Sequence, residues 1–151
     1  MKHEGTMSSG LSISKDEMFL LGNIGLNGIL MGYPKACLPI AELMLKERPK
    51  NGTSYIAMAF YHMAYGNIDK ALEVIETDNN GFIVTDGRDE LLSVYIHLLY
   101  LSENRYEEGL NFANEIINEQ LVINKNSLKS IKNTMALIKN KIDKKSQDEV
   151  E

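Results

Sequence analysis

The chain has 151 residues, 44% of them apolar, a single cysteine and a formal net charge of −5 at pH 7. A domain of this size buries a core without metal or disulfide support. One cysteine excludes an internal disulfide and cysteine-pair zinc sites, and the acidic balance argues against a nucleic-acid partner. Three prolines, eight methionines, no tryptophan and few strictly alternating segments predict an all-α chain rather than a β-sandwich.

Residues 1–13 are polar and lack periodicity, which predicts a disordered N-terminal tail. They hold no apolar core of a signal peptide, and no apolar run approaches the ~20 residues of a membrane span. With the lone Cys37 suited to a reducing compartment, the expectation is a soluble, cytoplasmic protein. Ser14 and Glu17 form a capping-box pattern ahead of an apolar run, so a first helix is expected over 15–31. It ends at Gly32, and Pro34 opens the next, which runs to about Lys46 before Pro49.

A third helix is expected over 53–65 with Gly66 as its stop, and a fourth over 69–76. The turn-rich stretch 77–81 follows, then Phe82, Ile83 and Val84 as a short apolar anchor for that loop. Helices over 89–102 and 106–119 come next. The last, over 126–144, carries an apolar stripe of Leu128, Ile131, Met135, Ile138 and Ile142, with Lys125, Lys129, Lys132 and Lys139 mostly opposite.

Charge is unevenly spread. Residues 1–123 carry nine basic and seventeen acidic side chains, hence −8, whereas 124–145 carry seven lysines against Asp143, hence +6; residues 146–151 form an acidic tail. The lysines read as a solvated helix face, or as a contact with an acidic partner or with the acidic body of the chain.

The turn at Gly32 to Leu38 returns 34 residues later at Gly66 to Leu72, and more loosely at Asn104 to Leu110. That period is the one expected of tetratricopeptide (TPR) helix pairs. Small residues stand where paired helices must approach: Gly25 and Ala59 before the turns, then Cys37, Ala71 and Gly109, and Ala41 and Ala113, after them. His97 breaks this pattern, so the third pair is expected to be splayed or differently registered. The extra four residues before it fit the loop between 77 and 88.

These residues make 14–123 resemble a TPR-like right-handed array of about three helix pairs, with 124–145 as an amphipathic capping helix. In such arrays the first helix of each pair lines the concave face. The resemblance therefore implies a partner-binding groove of Phe19, Leu26, Ile29 and Leu30, then Ile56, Phe60 and Met63, then Val94, Leu98 and Leu101. These positions contain no lysine or arginine, unlike the clamp with which some TPR modules grip a chaperone's C-terminal carboxylate. An apolar groove suits an amphipathic helix or extended apolar peptide. The same side chains could instead be ordinary core, or pack against the last helix or a second copy.

Arg48-Pro49, Ala57 to Tyr65, Gly66 with Ala71-Leu72, Tyr95 to Leu101 and Asn111 to Ile117 are similar to the pattern of the YscG/HrpK-like group of type III secretion chaperones. That resemblance implies a bacterial cytoplasmic chaperone that shields an amphipathic helix of a secreted needle, pilus or translocator subunit, often beside a small helical co-chaperone. The alternative is a self-associating TPR-like scaffold or adaptor without secreted cargo.

No catalytic, cofactor-binding or metal-binding set is expected. His62 and His97 lie in different pairs and lack a second ligand at i+3 or i+4. Cys37 falls at a packing position, where a thiol is inert. No glycine-rich phosphate loop follows a strand, and acidic pairs such as Asp89-Glu90 and Glu107-Glu108 sit at helix starts, where they favour the dipole.

Overall fold

The computed structural model describes residues 12–77 and 84–150. Seven α-helices account for most of them: α1 Lys15–Leu30, α2 Pro34–Glu47, α3 Gly52–Ala64, α4 Ile68–Glu76, α5 Arg88–Leu101, α6 Tyr106–Asn118 and α7 Lys125–Asp148. Among the described residues there is no β-strand, only an isolated parallel bridge between Asn51 and Asp86. The tail expected over residues 1–13 lies outside the described residues up to Leu11; Ile13 is partly buried and packs against the first core cluster. Phe82 and Ile83 also lie outside them, whereas Val84 is buried in the central core, as expected of a loop anchor.

Local chemistry sets the helix ends. Ser14 Oγ accepts from the Glu17 N–H at 3.2 Å, and the Glu17 carboxylate accepts from the Ser14 N–H at 2.8 Å, so two orphan amides at the start of α1 are satisfied reciprocally. Gly32 has φ +93° and Gly66 φ +70°. At both, the glycine N–H bonds to the carbonyl three residues back (Ile29, Met63), and the next N–H reaches five back, Tyr33 to Gly28 and Asn67 to His62. This doubled bond pattern around a left-handed residue closes α1 and α3 alike. The third copy differs. α5 ends at Ser102, whose backbone is extended, and the left-handed cap appears instead after α6, at Gln120 with φ 53°.

Packing follows a repeating rule. Each helix contacts the next, and the odd helices also contact one another in series, α1 with α3, α3 with α5 and α5 with α7; the even helices have no substantial mutual contact among the described residues. The core runs along this stack as three clusters. Met18, Ala41, Met44, Ala57 and Met58 join α1, α2 and α3. Tyr55, Ile56, Ala59, Leu72, Ile75, Leu91, Leu98 and Leu99 form the centre. Leu92, Ile96, Tyr106, Ile116, Ile131 and Ile138 join α5, α6 and α7.

Glycine brings α1 close to α2. A Cβ on Gly25 would stand 2.7 Å from Ile40 Cγ2, one on Gly28 would overlap Cys37 Sγ, and one on Gly22 would lie 3.1 Å from Met44 Cε. Cys37 is buried, Ala59, Ala71 and Ala113 are fully buried, and Ala41 nearly so, so the expected small-residue sites are the places of closest helix approach. α7 occupies the next odd place in the series. It also continues three residues into the stretch expected as an acidic tail, because no glycine or proline interrupts it before Asp148.

Candidate partner-binding face

α5 shows how the stack leaves one apolar surface uncovered. Leu91, Tyr95, Leu98 and Leu99 face the central cluster, and Leu92 and Ile96 face α6 and α7. Val94, His97 and Leu101, at i, i+3 and i+7, share a third face. Val94 and His97 are partly buried, and Leu101 is exposed. On α3 Phe60 and Met63, and on α1 Leu26, are also partly buried and pack, with Val94, against the central cluster. Three successive odd helices thus hold one half-covered apolar strip.

The remaining expected groove residues divide. Ile29, Ile56 and Leu98 are buried at 3%, 7% and 0% exposure, so they support the strip from beneath and offer no surface to a partner. Phe19 is the opposite case, 73% exposed; it lines a cavity of about 710 Å³ between the start of α1 and the α2–α3 turn, together with Met18, Met44, Arg48 and Asn51. Leu98 occupies the repeat position of Phe60 but is drawn fully into the core, which places Val94 and Leu101 outermost on α5.

His97 is the surface residue that the helix pattern did not single out for the groove. Its Nδ1 lies 3.5 Å from Thr134 Oγ1 on α7, so it stands where the strip meets the last helix. Burial pulls its pKa below the ordinary histidine value of 6.5, and burial, with Lys70 nearby, does the same for His62. A histidine whose folded pKa is lowered contributes stability that is present above pH 6.5 and lost as pH falls through the folded value, because the unfolded chain binds the extra proton first. The unfolding midpoint is therefore expected to fall between pH 7 and pH 5, and His97→Asn to flatten that slope in a urea titration. An unchanged slope would remove His97 as its source.

At the even side of the stack, Arg105 ties the α5–α6 turn to α4. Its guanidinium donates to Glu76 at 2.7 and 3.2 Å and to Glu108 at 2.8 and 2.9 Å. Tyr95 Oη donates to Glu76 at 2.7 Å. Arg105 holds the Glu108 carboxyl below its usual range, and burial pushes the Tyr95 phenol up. Every charge in this network has an opposite or hydrogen-bonded partner, the arrangement of a clasp between elements.

The described residues contain no group of three or more histidine, cysteine or acidic side chains able to hold a metal ion. No helix among them is long and apolar enough to cross a membrane. Comparisons with protein-family models, curated proteins and solved structures find no match for this chain.

Proposed function

We propose that the protein is a TPR-like chaperone of the type III secretion kind, which holds an amphipathic helix of a secreted needle, pilus or translocator subunit in the bacterial cytoplasm. The observation that carries this reading is the strip itself. Leu26, Phe60, Met63 and Val94 remain partly exposed on three successive odd helices around one buried cluster, with Leu101 beyond them, and none of the five is charged. The 34-residue recurrence of the Gly32 and Gly66 turns, the serial contact of odd helices and the amphipathic α7 at the end of the stack support a TPR-like array.

Such a strip suits the apolar face of a helix, whose anchors recur at i, i+3, i+4 and i+7. Each large anchor contributes about 1.5–3 kcal/mol before ordering costs, and Met63 adds a side chain that adapts to irregular ligands. Calorimetric titration of the full chain with a synthetic amphipathic helix from a needle subunit tests the reading. The double variant Met63→Glu with Leu101→Glu, which alters the strip and leaves Ile56 and Leu98 in place, is expected to bind at least about tenfold more weakly, with helicity by circular dichroism unchanged. Equal binding by wild type and variant would sink it.

A further inference from the structure

The outward side of α1, with the end of the helix, gathers most of the exposed large apolar residues among the described residues that the strip does not use. Phe19, Leu20, Ile24, Leu30 and Met31 are 73%, 60%, 52%, 64% and 75% exposed. At 100° per residue they fall, with Asn23 and Asn27, within about 140° of one helix face. At the other end of the stack α7 covers α5, whereas nothing among the described residues covers this side of α1. With Tyr33, 65% exposed at the end of the helix, six large apolar residues each more than half exposed gather on one helix and its end, where scattered single ones are normal on a monomer.

Six of the seven residues on this face stand as mirror pairs; Ile24 does not, since its mirror position, Leu26, packs against the central cluster. Counted from the level of Gly25, apolar pairs stand five and six residues away on either side, Leu20 and Phe19 before and Leu30 and Met31 after. An asparagine stands two residues away on either side, Asn23 and Asn27. When two copies of one helix pack antiparallel about a two-fold axis, each residue meets its mirror position on the partner. Leu20 then stands level with Leu30 and Asn23 with Asn27, each twice, while Phe19 and Met31 flank the pairing at its two ends. The asparagines supply complementary amide donors and acceptors at the centre, where a polar pair fixes register. An unrelated partner imposes no such symmetry on the face it binds; a second copy of the chain does.

We propose that two copies of this protein pair through α1, antiparallel about a two-fold axis at the level of Gly25, and leave the strip on α3 and α5 free. This does not rest on the chaperone reading, since the strip variants lie on other helices.

Sedimentation equilibrium of the full chain tests it with two substitutions at exposed positions, Leu20→Lys and Leu30→Glu. The wild type is expected at twice the 17.0 kDa chain mass. Each variant alone is expected as a monomer of unchanged helicity. An equimolar mixture of the two is expected to regain the dimer, because the introduced charges meet across the axis. A wild-type monomer at every soluble concentration overturns the proposal, including one whose α1 face is covered by its own first eleven residues. So does a dimer that survives both substitutions, and a mixture that stays monomeric overturns the pairing register.

Discussion

Ile138→Ala is expected to cost about 4 kcal/mol of unfolding free energy, near the upper part of the range for an isoleucine emptied from a packed core. Ile138 is fully buried in the cluster where α7 meets α5 and α6. Its Cδ1 reaches the space left by Gly109, where an added Cβ would lie only 3.3 Å away. A methyl group cannot fill that space, and Gly109 has no side chain to move into it. Ile131 and Met135 dock the preceding turns of α7 in the same cluster, and polar ties lie at its edge: Lys141 Nζ donates to the Tyr100 carbonyl at 3.2 Å and lies 4.4 Å from the Tyr106 ring centre, and Asp89 accepts from the Ile123 and Asn124 amides just before the helix. For a domain whose whole stability is of order 5–15 kcal/mol, the loss is large. Urea unfolding followed by circular dichroism measures it, with Leu137→Ala, one residue away and exposed, as the control expected within about 0.5 kcal/mol of wild type. Equal costs for the two would mean that α7 is not docked through Ile138.

The contrast between Ile138 and Leu137 was legible in the sequence, because the apolar stripe of the last helix has a clear period of 3.6 and a lysine-rich opposite face. The same logic recovered the helix ends at Ser14, Gly32 and Gly66, where one residue type satisfies a local geometric demand. It could not recover the cap after α6, although it placed the third turn, at Asn104, between α5 and α6. Gln120 carries the left-handed cap after α6, and glutamine has no preference for that conformation to betray it. Nor could it rank exposure along the strip. Leu26, Phe60 and Leu98 occupy equivalent repeat positions, yet Leu98 alone is fully buried, because burial depends on how closely neighbouring helices approach. α1 is apolar on nearly every side, so its pattern does not say which side faces out. The structure answers with Leu20, Ile24 and Met31, none of them among the expected groove residues.

Gly52→Ala is expected to cost about 3 kcal/mol, the most damaging single methyl at a described glycine. Gly52 is buried at the start of α3, and an added Cβ would fall inside contact distance of the Gly87 carbonyl oxygen and 3.2 Å from Leu91 Cβ. The obstruction is backbone, so no rotamer change relieves it, and overpacking of this kind commonly costs about 1–3 kcal/mol. The displaced segment is also tied. Gly52 N–H donates to the Asp86 carbonyl at 2.8 Å, Thr85 N–H to the Lys50 carbonyl at 2.9 Å, and the Gly87 carbonyl accepts the Leu91 amide that starts α5. Pushing the two glycines apart therefore breaks the bridge between Asn51 and Asp86, strains the first turn of α5 and lifts Val84 from the central cluster. The bridge is not visible in local spacing, since its partners lie 34 or 35 residues apart. Gly66→Ala is the comparison: its φ of +70° is unfavourable for alanine, but nothing lies within 4 Å of the added atom, so the expected cost is about 1 kcal/mol, from conformation alone. Urea midpoints for both variants decide the matter. If Gly52→Ala proves no worse than Gly66→Ala, the crossing of residues 52 and 87 is looser than described and the start of α5 is held by its side-chain packing instead.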